Sequence, residues 1–381
     1  MAASSVGSIK KHFRKLTDPR VVGRTDHLLV DILVMAICAV IGNCNSWRDI
    51  ALFAEKRASW FKRFLKLPNG IPSHYTFRRV FDQLNPRAFQ SCLVAWLKEV
   101  SDLVGLKHIA IDGKTLRHSG NNGAGLRMLH AVSAWATEQH LLLGQVMTEE
   151  KSNEITAIPQ LLQLLDLHGA LVTIDAMGCQ KDIARQIVEL GGDYVLTVKA
   201  NQENLLQDIQ ATVEKALDGL LPDAEVEQYT KRDSGHGRRE ERICTVIHNV
   251  DEVRERACWA KLSSVGMIYS ERTIKGETTT EVRYFIGSRK MGARKYARTL
   301  RGHWAIENNL HWQLDITFGE DDSTITKRNA GANFAVLRRI AISLLKQNAR
   351  EDSLGRKRME AALDPDFLAE ILTGVNRRDK I

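Results

Sequence analysis

At Lys107 the pattern of apolar residues changes from helical spacing to short strand-like runs, and the order of elements after this point most restricts the fold. Three strand patterns come first, at residues 108–112, 128–137 and 141–148. Helices at 157–167, 181–190 and 205–217 then alternate with strands at 170–175 and 194–198. This order predicts an α/β fold.

Three consecutive strands followed by alternating helices and strands are the element order of a ribonuclease-H-like fold. Residues 225–290 interrupt the alternation with further strand patterns at 243–248, 264–273 and 281–288. We therefore predict a ribonuclease-H-like core in two parts, 106–224 and 291–350, separated by a β-rich insertion at 225–290. In such a sheet the first strand is central and lies beside the strand that follows the first helix.

The residues before Lys107 show helical periodicity. Residues 1–26 are polar and basic, and we expect an arm with limited order. Residues 27–105 predict an all-helical domain with helices at 28–41, 46–65, 73–84 and 88–104. The first helix is very apolar, but it is too short to span a membrane and contains Asp31, so we expect it in the core. Residues 351–381 are expected to form a charged C-terminal tail.

The net charge of +8 is distributed unevenly along the chain. Residues 1–107 carry 17 Lys and Arg against 8 Asp and Glu, so the N-terminal part holds all of the excess. This asymmetry is typical of a phosphate-binding module beside an acidic site. A basic helical domain that is merely soluble is the alternative.

The cysteine spacing excludes some classes of protein. The six cysteines are scattered and form no C-x-x-C pair: Cys38, Cys44, Cys92, Cys179, Cys244 and Cys258. This pattern argues against a zinc ribbon or a disulfide framework. It favours reduced, buried thiols in a cytosolic protein.

Two aspartates occupy positions where a carboxylate is costly. Asp112 and Asp175 each end a short β-branched apolar run, and a charge buried there requires a cation. In the predicted sheet the two would lie side by side, where like charges raise each other's pKa unless a cation intervenes. A later helix must supply a third ligand, and Glu307 lies in one. Three such carboxylates can hold two divalent ions roughly 3.5–4 Å apart, the arrangement used in phosphodiester chemistry.

Oxygen-only ligands suit Mg²⁺ or Mn²⁺ rather than zinc. The alternative for each aspartate is that it caps a loop or pairs with Lys114 or Arg117. A zinc site built on His303 and His311 is disfavoured because the histidines are eight residues apart and the H-E-x-x-H order is absent. The glycine-rich loop at 119–125 lacks P-loop spacing, so we expect it to span the first hairpin.

Seven short stretches spread over roughly residues 20–350 resemble one family in their residues and in their order along the chain. They are Gly70-Ile71-Pro72-Ser73-His74, Ala110-Ile111-Asp112-Gly113-Lys114, Lys151-Ser152-Asn153-Glu154-Ile155, Thr173-Ile174-Asp175-Ala176-Met177, Asp193-Tyr194-Val195-Leu196, Lys199-Ala200-Asn201-Gln202 and His303-Trp304-Ala305-Ile306-Glu307-Asn308. The chain resembles a bacterial insertion-sequence transposase of the DDE type, in the ISAs-type group that includes the H-repeat-associated proteins. The resemblance implies a catalytic triad of Asp112, Asp175 and Glu307. It also implies a β-strand insertion before the glutamate helix, where 225–290 falls.

The surroundings of Glu307 depart from the wider class of insertion-bearing transposases, which has a Tyr, an Arg and a Lys spaced around this glutamate. The positions seven before, four before and seven after it are Leu300, His303 and Leu314. In a continuous helix, His303, Glu307 and His311 share one face. The two histidines then either contact phosphates in place of the missing groups or pack as boundary residues beside the neighbouring tryptophans.

Several basic residues are candidate DNA contacts. Arg78 and Arg79 lie on a helix that follows a tight turn, and such a helix can enter a major groove. Two helices joined by a turn are also common in bundles that bind no DNA. Lys114, Arg117 and Lys199 lie near strand ends beside the core and are predicted phosphate contacts. Basic residues at a hairpin tip, 234–239, either touch DNA or are solvated.

Together these features predict a DNA transposase that acts on the ends of its own mobile element with two Mg²⁺ or Mn²⁺ ions. Its expected partners are double-stranded DNA and, when two element ends are brought together, a second copy of the chain. We expect no membrane partner and a cytoplasmic, nucleoid-associated protein. The alternatives are a metal-dependent nuclease or resolvase of the same fold and a DNA-binding protein that has lost catalysis.

Overall fold

The computed structural model describes residues 2–21, 23, 25–101, 107–116, 130–148, 154–235, 237–248 and 250–373. Arg117, the 119–125 loop, Lys151-Ser152-Asn153 and His236 lie outside the described residues. The described chain is a mixed α/β structure with one large mixed sheet and helices throughout. The predicted α/β class is therefore confirmed.

Six helices of the described chain precede the first strand: α1 (Ala2–Phe13), α2 (Leu29–Ile41), α3 (Trp47–Lys56), α4 (Ala58–Phe61), α5 (His74–Gln83) and α6 (Pro86–Ser101). Helix α2 is buried along nearly its whole length, as predicted. Serine caps fix two of the starts, because Ser46 accepts a hydrogen bond from Asp49 N and Ser73 from Thr76 N. The single helix predicted at 46–65 is divided at Arg57 into α3 and α4.

The expectation of a loosely ordered arm at 1–26 is wrong for its described N-terminal part, which forms α1. Ile9 and Phe13 are buried, and the Phe13 ring meets Phe89 of α6 edge-on, with ring centroids 5.5 Å apart. Ile9, Phe13 and Leu16 are spaced by four and three residues, so they form one apolar face in a segment that is polar on average.

Nine strands form a single sheet: β1 (His108–Thr115), β2 (His130–Ala136), β3 (Leu141–Thr148), β4 (Leu171–Ile174), β5 (Asp193–Val198), β6 (Glu225–Gly235), β7 (Arg238–His248), β8 (Ser264–Ile274) and β9 (Glu277–Gly287). Their order is β3-β2-β1-β4-β5-β9-β8-β7-β6. Strand β1 pairs antiparallel with β2 and parallel with β4. Because Ile111 is the register partner of Ile174, the residues that follow them, Asp112 and Asp175, lie at the same edge of the sheet.

The β6–β9 segment (residues 225–287) contains four strands where the sequence predicted three. It extends the same sheet, since β9 pairs antiparallel with β5. Strand β6 was missed because none of its residues is buried, so it lacks the apolar alternation that marks a strand in sequence.

Helix α7 (Glu154–Leu162) connects β3 to β4, α8 (Lys181–Glu189) connects β4 to β5, and α9 (Glu203–Leu217) connects β5 to β6. Helices α10 (Ala293–His303) and α11 (Trp312–Ile316) follow the β6–β9 segment. Helix α12 (Ala330–Gln347) is buried over most of its length. It packs against α2, α5, α6 and β3, so it joins the N-terminal helices to the sheet. Among the described residues, no helix has both the length and the apolar character to cross a membrane.

The expectation of a charged tail at 351–381 is wrong for its described part. That part forms α13 (Leu354–Leu363) and α14 (Pro365–Thr373). Phe367, Leu368 and Ile371 are buried, and α14 packs against α1 and α2. The two ends of the described chain therefore pack into one core. The sequence did not predict this, because both ends are rich in charged residues.

Candidate active site

The three acids predicted to act together line one cleft of about 700 Å³. Asp112 comes from β1, Asp175 follows the last residue of β4, and Glu307 comes from the segment between α10 and α11. Parallel pairing of β1 and β4 brings the two aspartates to one sheet edge, the usual place for a binding site in an α/β sheet. Below, "the cleft" means this space.

Asp112 is surrounded by negative charge. Its side chain is 27% exposed. Burial raises its pKa to about 7, and the nearby carboxylates of Asp175, Glu154 and Glu307 act in the same direction. A carboxyl group in this setting is partly protonated at neutral pH unless a cation neutralises the site.

Asp175 is fixed by the turn that follows β4. Its Oδ1 atom accepts a hydrogen bond from Met177 N at 3.1 Å, and it caps the short 3₁₀ turn Ala176–Gly178. Asn201 Nδ2 donates to Ala176 O at 2.7 Å and braces the same turn. Burial raises the pKa of Asp175, as does Glu154, while the main-chain N–H groups of the turn and Lys199 oppose the rise.

Glu307 begins a π-helical turn, Glu307–His311, where the sequence predicted a continuous α-helix. The residue is exposed to the cleft, whereas Ile306 and Leu310 are buried beneath it. A π turn places an extra residue in one turn and is frequent at functional sites. The π turn replaces the regular four-residue spacing expected for His303, Glu307 and His311, and the two histidines have separate partners.

His303 links α10 to β4. Its Nδ1 atom lies 3.1 Å from Thr173 Oγ1, and the same hydroxyl lies 2.9 Å from His108 Nε2. Burial lowers the pKa of His303 to about 4. Because the imidazole is neutral at pH 7, His303 offers no positive charge to a phosphate.

His311 lies against the first aspartate. It is buried, and its Nδ1 atom is 3.5 Å from Asp112 Oδ2. Burial lowers the pKa of His311 to about 3, and the charges of Arg339 and Lys114 add to this effect. A neutral ring at this distance orients the Asp112 carboxyl group without neutralising it.

Glu154, at the start of α7, is a fourth acid that the sequence reasoning did not single out. It is buried, and its Oε1 atom contacts His130 Nε2. The other ring nitrogen of His130 lies 3.0 Å from Thr115 Oγ1. A Cβ atom on Gly113 would lie 2.7 Å from Glu154 Cδ, so the glycine after Asp112 makes room for this acid. Glu154 belongs to the Lys151-Ser152-Asn153-Glu154-Ile155 stretch of the sequence, which was the available signal.

Lys114 is not placed as a phosphate contact. Its side chain is 8% exposed, and Nζ lies 2.7 Å from Asp315 Oδ1 and 2.9 Å from Asp321 Oδ1. Glu320, also close to Lys114, is fully buried and forms an ion pair with Arg339 at 2.6 Å. The lysine is thus already neutralised, and it ties β1 to α11 and the loop after it.

A cationic wall surrounds the acids, and the sequence reasoning identified only one member of it. Lys199 is exposed and lines the cleft next to Asp175. The other cations come from the β6–β9 segment and α10: Lys231, Arg242, Arg272, Arg283, Arg294, Arg298 and Arg301. Arg242 and Arg283 are partly neutralised by Glu240 and Glu281. The cleft therefore has an acidic floor and basic sides.

Arg78 and Arg79 lie apart from the cleft, on the exposed side of α5. Arg78 Nε is 3.8 Å from Asp82 Oδ2 in a surface pair.

The donor atoms of the acids fit hard divalent cations. Carboxylate oxygens are the ligands that Mg²⁺ and Mn²⁺ prefer. Burial is the main cause of the raised pKa of Asp112 and Asp175, and neighbouring carboxylates add to it. Among the described residues, the three acids do not bring one oxygen each within 4.8 Å of the others. The side chains as placed therefore do not form a single ion site with one oxygen from each of the three acids.

Comparisons with known proteins identify the family of this chain. Residues 105–344 match the family described as "Transposase DDE domain", and residues 10–97 match that described as "DDE_Tnp_1-associated". The H repeat-associated protein YhhI of Escherichia coli (strain K12) is 39% identical over 372 residues, which cover 96% of this chain and 98% of YhhI. YncI of Escherichia coli O157:H7 is 36% identical over 390 residues, 99% of this chain and 98% of YncI. Both relatives are named as transposases.

Among solved structures, a piggyBac transposase synaptic complex with hairpin DNA aligns with 99% of this chain and 82% of that chain. Its TM-score of 0.45 and sequence identity of 9% are too low to support an argument about fold or function. The family matches show the family of this chain, as do the two relatives, which are both similar to it along almost its whole length. The chain belongs to the family of bacterial insertion-sequence DDE transposases that includes the H repeat-associated proteins.

Proposed function

We propose that this protein cleaves DNA strands at the ends of its own mobile element and joins the freed 3′-hydroxyl groups to target DNA. The observation that carries the proposal is the cleft, where Asp112, Asp175 and Glu307 meet beneath a cationic wall. An acidic floor suits divalent cations, and basic sides suit the phosphates of a strand laid across it. Family membership makes this interpretation stronger than either feature alone.

We also propose a ribonuclease-H-like core, with the β6–β9 segment as its insertion and residues 27–105 as an N-terminal DNA-binding domain. The strand order β3-β2-β1-β4-β5, with β1 central and parallel to β4, supports the core. The exposed Arg78 and Arg79 on α5 support a DNA-binding role of the helical domain. Synapsis of two element ends favours a homodimer on DNA.

Members of this family generally use divalent metal ions. We propose Asp112 and Asp175 as the main ligands and Glu307 as the third. Two Mg²⁺ or Mn²⁺ ions there would activate the attacking oxygen and stabilise the leaving oxygen of an in-line displacement. His311 and the turn after β4 orient the two aspartates.

Phosphate contacts would come from the cationic wall. Lys199 is one candidate, since its charge acts on Asp175, and Arg272, Arg298 and Arg301 line the same cleft. Arg117 remains a prediction from sequence. His303 and His311 would act by orienting their neighbours, because both are neutral at pH 7.

The experiment that tests the proposal is a single-turnover assay with labelled element ends, target DNA and Mg²⁺. We expect cleaved ends and, later, products in which the ends are joined to target. Cleavage that never yields joined products would support the nuclease or resolvase alternative, which the comparisons do not favour. Binding with neither cleavage nor joining would support a DNA-binding protein without catalysis.

A further inference from the structure

A second group of metal-binding side chains lies where β6 and β7 meet, outside the cleft. Glu225 and Glu227 are two residues apart on β6, so their side chains point to the same face of the sheet. His248 is the direct cross-strand partner of Glu225. One ligand atom from each residue lies within 4.8 Å of the other two.

His248 gives an independent reason to expect a ligand at this place. It is 3% exposed, and its Nδ1 atom lies 2.8 Å from Ser264 Oγ. Its Nε2 atom is buried without a hydrogen-bond partner and lies 3.8 Å from Glu227 Oε1. A histidine that binds a metal through one ring nitrogen characteristically has the other fixed by a hydrogen bond, as here.

Both glutamates can serve as ligands, although each already has another partner. Glu227 Oε2 accepts a hydrogen bond from Ala293 N at 3.0 Å, at the start of α10, which leaves Oε1 facing His248. A Cβ atom on Gly292 would lie 3.0 Å from Glu227 Oε2, so the glycine permits this close approach. Glu225 pairs with Lys290 at the exposed side, and a surface ion pair of this kind is weak enough for a cation to replace.

We propose that Glu225, Glu227 and His248 bind one divalent transition-metal ion, with zinc the best match. One imidazole and two carboxylates form a mixed set that suits zinc better than magnesium. The ion would hold β6 and β7 together through Glu225, Glu227 and His248. Glu227 also accepts a hydrogen bond from the first residue of α10, the helix that leads to Glu307. The role of the ion is structural: it fixes the start of α10 against the β6–β9 segment.

The test uses the full chain carrying Asp112→Asn and Glu307→Gln, so that the cleft cannot bind the probe strongly. Calorimetric titration with ZnCl₂ in the absence of DNA is expected to show one site per chain. Adding His248→Ala or Glu225→Gln should weaken this binding at least about tenfold. Glu225 is exposed, so its variant keeps the proposal testable if His248→Ala does not fold. Glu241→Gln, the same change on β7, should leave the affinity unchanged.

A second measurement follows thermal unfolding of the same proteins. ZnCl₂ should raise the melting temperature of the background chain and of the Glu241→Gln control, but not that of the Glu225→Gln chain. No zinc binding by the background chain, or equal binding by all variants, overturns the proposal. Neither measurement uses cleavage or joining, so failure here is distinct from failure of the proposed transposase activity.

Discussion

Lys114 Nζ lies 2.7 Å from Asp315 Oδ1, so the strand that carries Asp112 is tied directly to the helix that follows Glu307. The two elements are separated by about half of the chain, and the ion pair sets their spacing at the back of the cleft. Lys114 is 8% exposed, so water cannot replace its partners easily. Positions of the first and third acids thus depend on a buried lysine two residues after Asp112.

Replacing this lysine should destabilise the fold. Lys114→Met leaves Asp315, Asp321 and Glu320 without their shared cation, and removal of one partner from a largely buried pair costs about 3 kcal/mol. Urea unfolding measures the change in the free energy of unfolding. Lys231→Met, at an exposed position, should change it by less than about 0.5 kcal/mol. Equal effects of the two substitutions would contradict the structural role of Lys114.

Removal of the central acid should abolish catalysis and leave the fold intact. Asp112→Asn keeps the shape of the side chain but removes the charge, and we expect strand cleavage to slow by at least about 10³-fold. Single-turnover cleavage of labelled element ends in Mg²⁺ measures the rate. Asp182→Asn, an exposed acid on α8, should cleave like the unmodified protein. Cleavage by the Asp112→Asn protein at a normal rate would remove Asp112 from the active site.

The same acid should give the metal-free protein an unusual dependence of stability on pH. The pKa of Asp112 is raised to about 7 in the folded state, so between about pH 4 and 7 the folded chain binds a proton that the unfolded chain has lost. The contribution of Asp112 to the free energy of unfolding is therefore favourable at low pH, and it is lost as the pH rises towards and through 7. We expect a loss on the order of 2–4 kcal/mol relative to Asp112→Asn.

Urea unfolding in EDTA at pH 5 and pH 8, for both proteins, measures this difference. The stability advantage of Asp112→Asn should grow from pH 5 to pH 8, since the asparagine side chain does not titrate. Addition of Mg²⁺ at pH 8 should stabilise the unmodified protein more than the variant. A stability difference independent of pH would show that Asp112 titrates normally.

The glycine after Asp112 should tolerate no side chain. In Gly113→Ala the new Cβ atom meets the buried contact of Glu154 with His130, and overpacking of this kind costs about 1–3 kcal/mol. Cleavage should slow as well, because the strand moves beside Asp112. Gly355→Ala is the matched control: this helical glycine has open space, and alanine there should be neutral or stabilising. Unfolding curves and single-turnover cleavage rates report both effects.

The cationic wall should contribute to DNA affinity through charge alone. Arg298→Ala removes an exposed cation of the cleft, so it should weaken binding to DNA of any sequence. If Arg298 contacts a phosphate, the slope of log affinity against log salt should fall by about 1. Binding measured by fluorescence anisotropy over a range of NaCl concentrations checks both. Arg185→Ala, on the surface of α8 outside the cleft, should change neither quantity.

The predictable parts of the structure were those with a strong local pattern. Continuous apolar runs predicted α2, β1 and β4 close to their observed bounds, and the predicted helix starts at 46 and 73 lie within one residue of the starts of α3 and α5. Strand β6 was missed because none of its residues is buried; its pairing with β7 comes from backbone hydrogen bonds rather than from a packed face. The helices α13 and α14 were missed for a related reason, since their few core residues stand among charged ones.

The active site also has features that local sequence patterns predict and others that they do not. The sequence by itself determined that Asp112 and Asp175 belong to neighbouring parallel strands, because β-branched runs and element order specify the sheet; Asp112 lies within β1, which continues to Thr115, and Asp175 directly follows β4. Only the tertiary structure decided that Glu307 opens a π turn, that Glu154 joins the acids and that Lys114 is buried in an ion-pair network. Local patterns report whether a side chain has an apolar environment. They do not report which distant charges meet it, and those charges decide whether a lysine binds a phosphate or braces a strand.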